Sequence, residues 1–479
     1  MSVARPAARG AGVPAARAAG LLVVPALCTL ALLLVPAAAK ASALLVLLAT
    51  GASLLYLASF VSPTVLFSLA VVFQAFSGNS FRLGLPVGPD RVLLLAAVVA
   101  LVARAFRGEL DVRLRWRPVH FVVLLLGAVA LSSAAWGGTL LTTGGVFALL
   151  DRLGFVPFLA FFLAPLLYRT AEQRNVLLVC LVALGGYLGV VALLEGLGLG
   201  RLAWPGYIAD RTVGLHFGRA RGPFLEAVAN GQALFHCAIA CGVAVRLWRS
   251  TTARWTAAFI GALCLVGTLF TLTRAVWLGT LLGLFAAFAV VPSLRRRLPA
   301  VLALVVGAVA LALALVPGLG DDVTSRSSAQ RPLWDRYNTN LAAVRIVEER
   351  PLLGVGWQNF AEDGTAYLRQ SERYPITGVG IEVHNVFLSH AAELGLFGAS
   401  LYLAAVTLAV GGALVRSPRD RTLAPWRVGL LSLALSWLVV ASFGPLSYAL
   451  PNTLLWLWAG IVLAPTLMRP LPERPGVPA

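Results

Sequence analysis

One histidine and a scattered set of arginines are the side chains in this 479-residue sequence best suited to chemistry. His384 stands in Val-His-Asn-Val-Phe-Leu-Ser-His, where a polar segment gives way to an apolar run. A histidine near neutral pKa at such a boundary can take a proton from an incoming hydroxyl. It can equally cap or anchor the helix that follows. His390 lies six residues on, so it faces another side of a helix and the two make no metal pair. Arg219 and Arg221 precede Gly-Pro-Phe at the start of one apolar run, and Arg274 separates two others in Thr-Leu-Thr-Arg-Ala-Val-Trp. A charge flanked so closely by apolar sequence is costly in a membrane unless solvated or paired. Arg274 therefore marks either a polar cavity or a hairpin turn at the interface. Arg331, Arg336 and Arg345 belong to a group of seven arginines in residues 317–383. The guanidinium is planar, permanently charged and bidentate, which suits phosphate. Gathered at membrane level, such groups suit a lipid-linked diphosphate and its departure as charge develops. For a single loop arginine, snorkelling to lipid headgroups is the ordinary alternative.

The elements that must position these residues are membrane helices. The sequence is 59% hydrophobic and 12% charged, with a mean hydropathy of +0.86. Apolar runs of about 18 residues or more recur from end to end, and their continuity excludes the alternation of a barrel. The expected fold is all-α, a polytopic transmembrane bundle of about 12–14 helices. Fourteen spans have approximate cores at 21–37, 41–58, 63–77, 90–104, 118–136, 147–168, 175–197, 226–246, 255–273, 275–292, 299–316, 385–415, 428–446 and 450–468. The organisation is a tail (1–20), membrane helices (21–316), a long loop (317–383), further helices (384–468) and a second tail (469–479). Within the long loop, Trp334, Tyr337, Leu341 and Val344 recur at helical spacing ahead of Pro351. They predict an amphipathic helix on the membrane surface or across a cavity mouth.

The basic residues set the orientation. All but one of the 38 are arginine, Lys40 being the exception. With the N-terminus cytoplasmic, the cytoplasmic segments carry 22 and the other side 15, and every short cytoplasmic loop is basic. Both termini are thus expected in the cytoplasm and the long loop outside it. The net charge of +18 reads as topology signal and lipid contact, and with no basic soluble domain nucleic-acid binding is excluded. Leu21 to Val35 follows three arginines and resembles a signal peptide, but the runs behind it favour an uncleaved first span.

Other chemistries find no support. The only lysine is Lys40, which rules out a Walker loop. Gly354-Val-Gly356 lacks the third glycine of a dinucleotide fingerprint and reads as a turn. Cys28, Cys180, Cys237, Cys241 and Cys264 all lie inside apolar runs. Cys237 and Cys241 share a helix face with His236, but small embedded apolar residues are the ordinary reading. No metal and no cofactor is expected, and a bond already activated in the donor would suffice.

Several segments together resemble the O-antigen ligase and polymerase superfamily. They are Arg219-Ala-Arg221-Gly-Pro-Phe224, Leu272-Thr-Arg274-Ala, Arg331-Pro-Leu-Trp334, Arg350-Pro-Leu-Leu-Gly-Val-Gly-Trp-Gln-Asn-Phe360, His384-Asn-Val-Phe-Leu and Glu393-Leu-Gly-Leu-Phe-Gly398. The resemblance covers about residues 215–400. It implies a glycosyltransferase of the bacterial inner membrane, acting on its extracytoplasmic face without metal or nucleotide by a single inverting displacement. The donor would be an undecaprenyl-diphosphate-linked glycan and the acceptor a lipid or another glycan. His384 would deprotonate the acceptor, Arg221 would hold the diphosphate, and Arg274 would line the site. Arg219, Arg331, Arg336 and Arg345 are further candidates. In place of the family's Asn-Pro-Asn turn this chain reads Leu-Glu-Ala-Val-Ala-Asn. That puts Glu226 near the phosphate site, either orienting Arg221 or marking a different donor or acceptor. A ligase and a repeat-unit polymerase both fit. An anion or lipid-sugar transporter is the alternative of another class, against which stands the lack of repeated halves.

Overall fold

The computed structural model describes residues 61–296 (without 86 and 111), 330–416 (without 379) and 420–470, with isolated positions 51, 299 and 307. The spans expected at 21–37, 41–58 and 299–316 lie outside the described residues but for those isolated positions. The other eleven are all helical. In chain order the helices are α1 (Pro63–Phe73, running into a 3-10 stretch Gln74–Leu83), α2 (Pro89–Phe106), α3 (Pro118–Trp136), α4 (Thr143–Phe147), α5 (Phe155–Leu167), α6 (Ala171–Gly196), α7 (Ala227–Leu247), α8 (Thr251–Phe270), α9 (Arg274–Val290), α10 (Arg331–Glu349), α11 (Val386–Val406), α12 (Ala424–Phe443) and α13 (Ala449–Leu467). Among the described residues, eight helical stretches are long and apolar enough to cross a membrane. A bent pair, Thr143–Leu153 with Phe155–Leu167, turns by 41° and makes up to nine. The chain is an all-α multi-pass membrane protein.

Contacts divide the chain into two units. The smaller, Met1–Phe67 with Arg91–Leu110, includes most of α2 and a surface ion pair between Arg107 and Glu109 at 2.6 Å. The larger, Ser68–Asp90 with Asp111–Ala479, holds everything that follows. Its most enclosed helices are α7 and α13, the latter carrying the fully buried Trp456 and Trp458. A short antiparallel ladder pairs β1 (Val112–Leu114) with β2 (Met468–Pro470). Two segments that the arginine count assigns to one side of the membrane are thereby joined.

Caps decide where the helices begin. Thr170 and Gln173 form a capping box at α6. The Glu226 carboxylate accepts from the Ala229 amide at 2.9 Å at α7. Asn385 Oδ1 accepts from the Leu388 amide at 3.0 Å at α11. Helix-end amides have no intrahelical acceptor, and in apolar surroundings water cannot supply one.

The loop ahead of α11 is built into the bundle. Helix α11 breaks at Gly395, whose φ of 70° belongs to the left-handed region. The break frees carbonyls: Ala392 O accepts from Val355 N at 2.9 Å and Glu393 O from Gly356 N at 3.1 Å, while Leu396 N donates to Pro351 O at 2.7 Å. A Cβ on Gly354 would lie 2.2 Å from the Ala392 carbonyl, and one on Gly395 2.0 Å from the Leu352 carbonyl. The Gly-Val-Gly segment is therefore the expected turn, and its glycines serve close backbone docking.

Helix α10 matches the expected amphipathic helix, but it is rotated. Asn338, Thr339, Ala342, Ala343 and Ile346 are buried, while Tyr337 and Val344 of the expected apolar stripe are exposed. Ala342 and Ala343 are small enough to let α10 approach α11, forming a cluster with Val355, Phe360, Val383 and Ala392. The larger residues are left on the outer face.

Candidate active site

His384 is held from both sides along the chain. Val383 is buried in the α10–α11 cluster, and Asn385 is the N-cap of α11. Burial holds the imidazole pKa below its ordinary 6.5, and the charge of Arg336 pushes the same way. The Glu382 backbone and the carboxylates of Glu382 and Asp335 oppose them in part. Nδ1 is buried with no hydrogen-bond partner among the described residues. A neutral imidazole with an uncommitted ring nitrogen is equipped to accept a proton at neutral pH.

Arg336 and Asp335 come from α10. Asp335 accepts a hydrogen bond from the Thr377 hydroxyl. Arg336 is half-buried, and its Nε has no hydrogen-bond partner among the described residues. Burial lowers its pKa, and so does the charge of Arg274, although a guanidinium stays protonated at any relevant pH. Arg274 and Arg336 are thus close enough for like charges to act on each other. Arg274 is the first residue of α9, after a turn in which Leu272 takes a φ of 48°. That turn is tied to the Arg219–Arg221 segment by Ala220 N donating to Phe270 O at 2.9 Å.

Glu226, besides capping α7, is buried, which raises its pKa, and the charge of Arg219 partly offsets the rise. It faces Arg219. Tyr448, just before α13, has its pKa raised by burial and then by the carboxylates of Glu226 and Glu382. These effects keep its phenol protonated.

Arg221 is placed differently. It is 1% exposed. Its guanidinium donates to the carbonyls of Val213 at 2.6 Å, Ile208 at 3.0 Å and Asp210 at 3.1 Å, and stacks over Phe217 at 4.8 Å. These bonds tie down the 206–218 loop. Arg345 donates to Tyr367 O at 2.8 Å and lines a separate groove of about 800 Å³ with Glu348, Glu349, Glu362, Asp363 and Arg369. Arg331 opens α10, and its side chain lies outside the described residues. The structure accordingly brings together His384, Arg336 and Arg274, with Arg219 and Glu226 joined to them through the α8–α9 turn and Tyr448, while the Arg221 and Arg345 guanidinium groups are hydrogen-bonded to backbone carbonyls. His390 is buried in α11, stacked on Tyr402 at 4.2 Å, with Nδ1 2.7 Å from Val386 O.

Sequence reasoning missed Glu382, Asp335 and Tyr448 as neighbours of the site. It also missed a second polar centre. Arg152 lies in a π-helical turn, Ala148–Leu153, and is 6% exposed. It meets Glu393 of α11 at 3.2 Å, donates to Gln358 Oε1 at 2.8 Å and to the Ser389 hydroxyl, and stacks on Trp357. The signal was present: each is a charge inside an otherwise apolar run, and the signs are opposite.

Residues 257–403 match the family described as O-antigen ligase. This stretch of the chain is similar to the O-antigen ligase family. It contains Arg274, Arg336, His384 and the whole docking of the loop onto α11, whereas Arg219, Arg221, Glu226 and Arg152 precede it. The match supports the superfamily that the motifs resemble. Members of this family are membrane enzymes of glycan biosynthesis, with lipid-linked glycan substrates. No curated protein matches the chain.

Proposed function

We propose that the protein transfers a glycan from a polyprenyl diphosphate, undecaprenyl diphosphate in a bacterial inner membrane, to an acceptor hydroxyl on the extracytoplasmic face. The observation that carries this reading is the like-charged pair Arg274 and Arg336 beside the uncommitted nitrogen of His384. Two guanidinium groups near each other favour an anion with several oxygens between them. A base beside that anion needs a substrate with a proton to give.

The step balances as a single displacement. His384 takes the acceptor proton as the acceptor oxygen bonds to the anomeric carbon. The bond from that carbon to the diphosphate breaks, the leaving oxygen keeps the electron pair, and the sugar carbon inverts. Arg274 and Arg336 stabilise the charge as it grows. Arg219 stands next in reach. Arg221, which the resemblance assigns to the diphosphate, contributes here by fixing the 206–218 loop. With arginines neutralising the diphosphate, a chelator is expected to leave transfer unchanged.

The test is transfer by the purified chain in nanodiscs, from a lipid-diphosphate glycan to lipid or glycan acceptors, with products read by mass. His384→Ala is expected to bind donor and to transfer about 10²–10⁴-fold more slowly. Normal transfer by that variant would overturn the assignment. Sugar flux into vesicles without covalent product would favour a transporter instead. Elongated carrier-linked glycan would identify a polymerase, and glycan moved to a lipid acceptor a ligase.

A further inference from the structure

A cavity of about 260 Å³ lies beside the proposed site, walled by the 3-10 stretch after α1, the π-helical turn, the loop before α11 and the start of α13. It falls near the lower end of the ~300–1,000 Å³ range of small-molecule pockets. Its lining mixes apolar walls with polar groups that differ from the arginine cluster. Arg152 is its cation, and that charge is already met by Glu393 at 3.2 Å. The other polar groups are amides, hydroxyls and carboxylates: Gln74, Gln358, Ser447, Tyr448 and Glu382 among them. The Ser447 hydroxyl donates to Glu382 Oε2 at 3.1 Å. Gln74 is 5% exposed, yet its Oε1 has no hydrogen-bond partner among the described residues. Gln74 lines the cavity, and its buried amide oxygen gains a partner when an incoming donor reaches it.

A diphosphate would meet carboxylates and a neutralised arginine here. A sugar would meet amide, carboxylate and hydroxyl partners for its own hydroxyls, with Phe147 and Phe224 as apolar walls. Glu382 links the two places, since it lines this cavity and its carboxylate acts on His384 two residues away. We propose that this cavity is a sugar subsite: it binds the neutral, polyhydroxylated part of a substrate while the arginines hold the anionic part. This rests on the transfer reading above. The sugar can belong to the donor or to the acceptor, and the chemistry of recognition is the same.

Two variants test it. Gln74→Leu removes the unpaired amide at nearly the same size. Gly144→Leu adds bulk at a cavity-lining position where a new Cβ meets no atom within 4 Å. Binding is measured on the full chain in nanodiscs with three probes: undecaprenyl diphosphate, the same lipid carrying one N-acetylglucosamine, and free N-acetylglucosamine disaccharide. Wild type is expected to prefer the sugar-bearing over the bare lipid by about tenfold, the worth of one or two good hydrogen bonds. If the cavity takes the donor sugar, both variants lose that preference and keep wild-type affinity for the bare lipid. If it takes the acceptor sugar, both lose affinity for the free disaccharide instead. Unchanged affinity of both variants for both sugar probes would overturn the subsite, as would equal weakening toward the bare lipid. Failure of wild type to bind undecaprenyl diphosphate would count against the transfer reading, while the disaccharide arm would still judge the cavity.

Discussion

Arg152 and Arg336 are two arginines removed from bulk water, and the protein treats them in opposite ways. Arg152 has a carboxylate, an amide, a hydroxyl and an indole face around its guanidinium. Arg336 has Arg274 as a like-charged neighbour, the neutral His384 beside it, and an Nε with no hydrogen-bond partner among the described residues. The first is a closed structural joint between the π-helical turn and α11. The second belongs to the cluster proposed to receive the diphosphate. Removal of one partner from the closed joint is expected to cost stability, and removal of a member of the open cluster to cost function.

The sharpest test of that contrast is His384→Ala. Transfer is expected to fall about 10²–10⁴-fold, the range of a lost general base, with the thermal midpoint of the detergent-solubilised protein unchanged. Glu393→Ala should do the reverse. It leaves Arg152 buried and unpaired, which costs roughly 3–5 kcal/mol, read as a drop in thermal midpoint and membrane yield. A Glu393→Ala protein as stable as wild type would erase the distinction. Arg336→Ala is expected to lower transfer by about tenfold to a hundredfold at unchanged stability, on the ~1.5–3 kcal/mol of a hydrogen bond to a charged group. The same variant refines the assignment through pH. His384 must be neutral to act, so activity holds through neutral pH and falls with acid through a midpoint below 6.5. Removing the positive charge of Arg336 favours the imidazolium, so the acid limb of Arg336→Ala moves to higher pH. A limb that stays in place would separate the two residues. At the small end, Arg345→Ala should change transfer less than about twofold, because its charge faces the acidic groove and solvent screens such contacts.

The membrane fold was legible because lipid leaves few choices. Apolar runs such as Ala227–Leu247 and Ala449–Leu467 must be helices to satisfy their own amides. His384 and Arg274 stood out as candidates for a related reason, since polar residues at the ends of such runs are conspicuous. What stayed hidden depended on rotation and on distant pairing. The inward face of α10 is set by Ala342 and Ala343, which hydropathy scarcely weighs against Tyr337 and Val344. Arg221 and Arg336 look alike as letters. Only the surrounding carbonyls of Ile208, Asp210 and Val213 distinguish a loop tether from an open cation. Arg152 and Glu393 are 241 positions apart, so no local pattern joins them.

The break at Gly395 bears on how the chain assembles. Until residues 351–356 dock, the carbonyls of Ala392 and Glu393 and the amide of Leu396 lack the partners they have in the finished structure, and an unpaired backbone group in an apolar setting costs several kcal/mol. Those docking residues are synthesised before α11. The segment that receives the helix is thus already made and waiting when α11 enters the bilayer, and membrane insertion of that helix and closure of the loop become a single cooperative event.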